Sequence, residues 1–227
     1  MLILRDVYWY IKADLKNGFR QFGTHPHDWR FQVYCNGLDE HYIDIACPFG
    51  KTNSTLEFCP PVKLFATSAA VRWHEKRGGI APRLGAYVDD IYGGVPKCDC
   101  YDTALKLRGF LCDKGDQLTY IFNKKPHKTP LPARKQVILG SLYDSLSRMM
   151  KSSPSKVSKY VGRIDRALSS GMILVKDLMS LHANLSFAAN VAPFGKPFLA
   201  ALTNLLVGYT GKETVRLDSL AKLSLRI

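Results

Sequence analysis

Asp89 and Asp90 are neighbours in the stretch Ala86-Tyr87-Val88-Asp89-Asp90-Ile91-Tyr92-Gly93-Gly94. Adjacent carboxylates repel one another, and holding them together costs free energy unless a cation lies between them. A hard divalent ion with oxygen ligands, such as Mg²⁺, removes that conflict. A third carboxylate, Asp14, closes the run Val7-Tyr8-Trp9-Tyr10-Ile11-Lys12-Ala13. Three such groups at one sheet edge can hold two divalent ions a few Å apart, the arrangement used for in-line phosphoryl transfer. Charge stabilisation and alignment do most of the catalysis in that chemistry. The plain alternative is a solvated turn, because Asp is a common turn residue.

The elements that must position these groups read as follows. Val7–Ala13 is rich in β-formers and predicts a strand ending at Asp14. Pro82–Val88 and Ile91-Tyr92 predict the arms of a hairpin with both aspartates at its turn. Trp29–Tyr34 and His41–Ala46 flank an Asn36-Gly37 turn signal and predict a second hairpin. A helix is expected from the cap candidates Thr52, Asn53, Ser54 and Thr55 to about Arg77, kinked or restarted by Pro60-Pro61 and stopped by Gly78-Gly79. Asp102–Leu111 reads as a helix, Leu118–Phe122 as a strand, Asn123–Lys135 as a basic, proline-rich loop, and Gln136–Asp144 with Arg148–Met150 as a last small hairpin. Ser155–Leu168, Leu174–Ala189 and Lys196–Val207 have helical periodicity. The composition changes near Lys151, so the chain divides into 1–150, a helical region 151–207, and a tail 208–227 without an assignment.

The chain has 227 residues, 46% of them apolar, enough for a substantial core. Its formal net charge of +13 points to a polyanionic partner, nucleic acid or an anionic surface. No apolar run is long enough to span a bilayer. Six cysteines fit no disulfide scaffold, and Cys98, Cys100 and Cys112 lack the C-x-x-C pair or nearby histidine of a zinc site. They read as reduced, mostly buried thiols. With no basic leader and apolar core in Met1–Asp6, a cytoplasmic or nuclear, non-secreted location is expected. His25, His27 and His41 read as surface residues, His74 and His182 as structural ones.

The ordered blocks resemble a reverse transcriptase, most closely the retrotransposon group that includes DIRS-type elements. Lys12-Ala13-Asp14-Leu15-Lys16-Asn17-Gly18-Phe19-Arg20-Gln21 resembles the first catalytic block, and Asp44–Gly50 the second, with Pro48-Phe49-Gly50. Tyr87-Val88-Asp89-Asp90 matches the signature tetrapeptide. Val137–Asp144 resembles the block leading into the primer-gripping hairpin, and His182–Phe198 the helical region that follows. The set spans roughly residues 7 to 207 and is more specific than any single motif.

The resemblance implies an α+β fold: a polymerase palm, with a ferredoxin-like antiparallel sheet and helices on one face, followed by a helical thumb-like region. It implies an RNA-directed DNA polymerase that adds deoxynucleotides to a primer 3′-hydroxyl on an RNA or DNA template, using two Mg²⁺ ions, with Mn²⁺ as a substitute. Asp14, Asp89 and Asp90 would be catalytic metal ligands, joined by the Leu15 backbone. Phe19 would gate against a 2′-hydroxyl, and Pro48, Phe49 and Gly50 would pack near the nucleotide. Tyr87, Leu139, Gly140, Lys156, Lys159 and Arg163 would meet primer or template, the basic helix making salt-sensitive backbone contacts. Lys125 or Lys128 would be the general acid toward pyrophosphate. Other domains of a larger retroelement polyprotein are implied as partners, and no membrane.

Without the resemblance, Phe19 reads as ordinary core and the basic helix as a solvated face. Only 13 residues precede Asp14, so the family's basic fingers region is expected to be missing. Lys51, Thr55 and Pro60-Pro61 also depart from the family pattern. A second reading is therefore an inactive, truncated remnant that only binds nucleic acid. A third is a nucleotide cyclase, which shares the metal logic but has no use for the Pro-Phe-Gly block.

Overall fold

The computed structural model describes Leu4 and residues 6–48, 50, 53–97, 99–192 and 195–226. Two compact units divide the chain. One comprises the residues up to 138 with 144–148, the other 139–143 and those from 149 onward.

The first unit is built on three antiparallel strands. β1 (Val7–Asp14) pairs with a strand that is itself the second arm of a hairpin. That hairpin follows two strands and a helix. β2 (Val33–Cys35) and β3 (His41–Ile43) form a separate two-stranded sheet, and α1 runs over Ser54–Arg77. Then come β4 (Arg83–Tyr87) and β5 (Asp90–Pro96), giving the strand order β1-β5-β4. α2 spans Tyr101–Gln117 and β6 spans Lys135–Ile138.

Alternation along β1 and β5 sorts their side chains onto two faces. Ile11 and Ala13 join Ile91 and Val95 in a core completed by Phe58 and Val62 of α1 and by Leu107 and Leu111 of α2. Lys12, Asp14, Asp90 and Tyr92 occupy the alternate positions, in register across the strand pair. Gly93 and Gly94 lie in the middle of the central strand with φ near +152° and +154°. A Cβ there would fall 1.8 Å from the Arg83 carbonyl oxygen and 1.9 Å from that of Trp9. The glycine pair thus lets both flanking strands close on β5.

β7 (Ser141–Asp144), all but its last residue, and β8 (Met149–Ser152) belong to the second unit, followed by α3 (Pro154–Ser170). β9 (Met172–Leu174) and α4 (Val175–Ala188) come next, then α5 (Ala200–Leu206), β10 (Thr214–Arg216) and α6 (Ser219–Arg226). β9 pairs with β10, and Leu178, Leu181, Leu202, Val215 and Leu217 form this unit's core. His182 Nε2 lies 2.9 Å from the Thr203 hydroxyl and ties α4 to α5.

Several expectations are corrected. Trp29–Phe31 belong to a 3₁₀ helix over Pro26–Phe31 and not to a strand, because Pro26 opens a helical turn capped by His25. α1 runs through Pro60 and Pro61 as one helix, and its flanking Asn53 makes no side-chain capping bond; Thr52 lies outside the described residues. Leu118–Phe122 is not a strand. The Tyr120 amide turns back to the Gly115 carbonyl at the end of α2, and only Phe122 bridges, to Leu15. Gln136–Asp144 holds two strands, with Leu139 and Gly140 turning between them at positive φ. The tail after 207 is structured, as β10 and α6. Among the described cysteines Cys47 is buried, Cys59 and Cys112 are half-buried, and Cys35 and Cys100 are exposed; Cys98 is not described. Among the described residues, no helix is long and apolar enough to cross a membrane.

Candidate active site

Asp14 is the last residue of β1 and pairs with Asp90, the first residue of β5. Val88 and Asp89 form the tight turn between β4 and β5, with Val88 at φ +52°. The Asp89 carbonyl accepts from the Leu15 amide at 2.9 Å, which pins the turn to the end of β1. Two strand ends and one turn thus bring all three predicted carboxylates to the same edge of the sheet.

Asp14 is buried, 5% exposed. Lys128 Nζ lies 3.2 Å from its Oδ1, and Asn123 Nδ2 donates to its Oδ2 at 3.2 Å. Its amide donates to the Thr129 hydroxyl at 3.3 Å, and its carbonyl accepts from the Asn123 amide at 2.8 Å. Lys12 Nζ stands 3.2 Å from Asp90 Oδ1, yet that buried oxygen accepts no hydrogen bond.

Burial, followed by the charges of Asp14 and Asp90, pushes the Asp89 carboxyl above its ordinary value; its own backbone amide and Lys128 oppose this. The hydrogen bond to Asp14, followed by the charge of that carboxylate, holds Lys128 above its ordinary value. Burial and then the charge of Asp90 raise the Tyr92 phenol.

The donor set is oxygen-only, and the buried Asp90 Oδ1 accepts no hydrogen bond although Lys12 pairs with it by charge; both features suit a hard cation. As the side chains stand, however, no group of three or more His, Cys, Asp or Glu among the described residues could hold a metal ion. Lysines face two of the three carboxylates instead.

Gly18 sets how closely the 3₁₀ turn Gly18–Gln21 approaches this edge. A Cβ on Gly18 would lie 2.9 Å from Asp89 Cβ and 2.8 Å from Phe58 Cζ. Phe19, on the same turn, is 6% exposed, and its ring centroid is 4.5 Å from that of Phe58. The residue expected to gate the sugar is placed in the core.

No protein-family model matches the sequence, and no curated protein matches it. Solved structures do. A foamy viral protease–reverse transcriptase dRH in complex with double-stranded DNA matches with a TM-score of 0.72 and 19% identity, over 98% of this chain and 35% of that one. A foamy viral protease–reverse transcriptase in complex with an RNA/DNA hybrid matches at 0.67 and 18%, over 98% and 27%. A third, in complex with double-stranded DNA, matches at 0.66 and 20%, over 99% and 42%. The chain shares its fold with these reverse transcriptase structures. This chain spans less than half the length of those proteins.

Within the reverse-transcriptase fold the other predicted residues fall in three places. Tyr87 is 61% exposed and pairs with Asp90 across β4–β5, so an aromatic ring borders the carboxylates. Pro48 accepts from the Ser54 hydroxyl at the start of α1, Gly50 is exposed, and Phe49 lies outside the described residues. Lys125 is exposed, while Lys128 reaches Asp14. In the second unit, Lys156 Nζ sits over the Phe187 ring at 4.2 Å and against Gly140, beside Leu139. Lys159 is exposed on α3; Arg163 donates to the Asp177 carbonyl at 2.9 Å and to the Ser180 hydroxyl at 3.2 Å.

Lys12, Asn123 and Thr129 are site residues that sequence reasoning missed. Lys12 was legible in principle, two positions before Asp14 on the same face of a strand. Asn123 and Thr129 contact Asp14 across more than a hundred residues of chain, and no local periodicity marks them.

Proposed function

We propose that the chain is the palm and thumb-like part of an RNA-directed DNA polymerase from a retroelement, resembling the DIRS-type group. One observation carries the reading: Asp14 and Asp90 face each other in register while Asp89 occupies the adjoining turn. The match to reverse transcriptases captured on DNA and on an RNA/DNA hybrid supports a template–primer as the partner.

Asp14, Asp89 and Asp90 are the residues that would hold two Mg²⁺ or Mn²⁺ ions, with deoxynucleoside triphosphates as substrates. Bound there, such ions would neutralise the phosphates and align the primer hydroxyl with the α-phosphate. The Leu15–Asp89 backbone bond holds the turn in place. Tyr87 offers an exposed ring to the primer end. Lys128, held protonated 3.2 Å from Asp14 Oδ1, would release Asp14 and donate a proton toward the leaving pyrophosphate.

The test is primer extension on a defined RNA template with Mg²⁺ or Mn²⁺, beside Asp89→Asn. Incorporation that the variant loses supports the reading; incorporation unchanged in the variant rejects the site.

The lysine contacts to Asp14 and Asp90 favour a second reading, a nucleic-acid-binding domain without catalysis. It expects salt-sensitive duplex binding and no incorporation with any metal.

A further inference from the structure

Residues 25–44 carry Asp28, Asp39, Glu40 and Asp44 against the single cation Arg30, in a chain of net charge +13. This acidic island contains the β2–β3 hairpin, in which every residue of both strands is exposed. The hairpin is nevertheless apolar. Val33 pairs with Ile43 across it, and Tyr34 stacks on Tyr42 with ring centroids 5.6 Å apart. Leu38, at the turn beside Asp39 and Glu40, is 78% exposed. Asp44 is already paired with Arg20; the tip acids Asp39 and Glu40 are both exposed, and Glu40 accepts from Asn36 Nδ2 and from the Tyr42 hydroxyl. An isolated two-stranded hairpin is marginal in water, and this one exposes apolar side chains on both faces, Val33 and Ile43 on one and Tyr34 and Tyr42 on the other, as suits an interaction surface.

A complementary surface lies elsewhere on the same unit. α1 buries Phe58, Val62 and Phe65 but also exposes Leu64 and Val71, seven residues apart on one face. Between α1 and the end of α2 lies a groove of about 210 Å³, walled by Leu64, Phe65, Leu118 and Tyr120 and rimmed by Arg72 and Lys114. Arg72 makes no ion pair among the described residues. The groove is of side-chain size, apolar inside and basic at its edge.

We propose that the hairpin tip of one copy of this chain docks into the α1–α2 groove of a second copy, Leu38 entering the apolar floor while Asp39 and Glu40 meet Arg72 and Lys114. Nucleic acid is a poor occupant for the hairpin, because the tip acids repel phosphates. Two copies of a strongly basic chain repel one another in general, so an acidic island facing a basic rim selects the orientation in which they associate. The contact joins two different surfaces. It closes as a reciprocal dimer if both tips engage, and otherwise extends head to tail.

Sedimentation velocity of the full chain over a concentration series tests this. The expected result is self-association that Leu38→Lys and Arg72→Glu each weaken by about tenfold or more. Mixing those two variants restores a heterodimer, because one retains an intact groove and the other an intact tip. Both positions are exposed, and circular dichroism checks that each variant is folded. Asp39→Lys and Lys114→Glu repeat the experiment should either fail to fold. A monomer at every concentration, association indifferent to these variants, or variants that do not complement on mixing would each overturn the proposal.

Discussion

Asp14 stands directly opposite Asp90 in the antiparallel pair of β1 and β5, so two carboxylates share one face at one register position. The third, Asp89, feels both. Burial and these two charges hold its proton to a higher pH in the folded chain than in the unfolded one. The folded state therefore binds more protons at Asp89. This contribution to stability is fully present below the ordinary carboxylate range and is lost as pH rises through it to the raised folded value. Without divalent ions, Asp89→Asn is expected to melt at a higher temperature than the wild type near pH 7, the gap closing toward about pH 4. Mg²⁺ should raise the melting temperature of the wild type more than that of the variant. Thermal unfolding over a pH series, with and without Mg²⁺, checks both points; identical curves would dissociate Asp89 from the cluster.

Lys128 is the side chain that answers Asp14 when no cation does. Its removal, as Lys128→Met, leaves a buried carboxylate with Asn123 as its one side-chain donor among the described residues. Lys128 is largely solvated, so the loss is discounted from the buried-pair range to about 1 kcal/mol. The same change should tighten Mg²⁺ binding, since the ion no longer displaces an ammonium group. A general-acid role adds a separate signature: nucleotide incorporation falls by about 10² or more. Urea unfolding, Mg²⁺ titration and single-nucleotide incorporation separate the three effects. Weaker Mg²⁺ binding in the variant would contradict the competition.

Gly18 is predicted to be intolerant of even one methyl group. The added Cβ would press on Asp89 Cβ and on the Phe58 ring, neither of which is the free end of a flexible chain. Gly18→Ala should cost about 1–3 kcal/mol by overpacking and should lower nucleotide incorporation by displacing Asp89. Chemical denaturation gives the first number and primer extension the second. Wild-type stability would mean that the turn relaxes freely.

The parts of the site legible in the sequence are those whose geometry is local. Period-two alternation places Asp14 and Lys12 on one face of β1, and the apolar arms around Asp89 and Asp90 announce a hairpin whatever the rest of the chain does. The segment 123–129 was legible only as a basic loop. Local bonds from Lys128 and Thr129 to the Lys125 carbonyl turn it, and Asn123, Lys128 and Thr129 close on Asp14 by tertiary contacts that no local pattern announces. Phe19 shows the opposite limit. Its type and its place in the first block suit a sugar gate and its apolar ring suits a core position, but its contact with Phe58 depends on where α1 crosses, which no short motif encodes. The strand expected at Leu118–Phe122 failed because the end of α2 captures the Tyr120 amide first.

The basic face of α3 offers a graded test of nucleic-acid binding, because its cations are not equivalent. Lys159 is exposed and makes no ion pair among the described residues, so it is available to a phosphate. Arg163 is committed to α4 through Ser180 and the Asp177 carbonyl. Lys159→Ala should therefore weaken template–primer binding at low salt, lower the slope of log K against log salt by about 1, and leave stability unchanged. Arg163→Ala should lower stability as well, since it removes two bonds between α3 and α4. Fluorescence anisotropy at several salt concentrations, paired with thermal unfolding, distinguishes the two. An unchanged salt slope in Lys159→Ala would take α3 off the path of the duplex, and the polyanion implied by the +13 charge would have to lie along another surface.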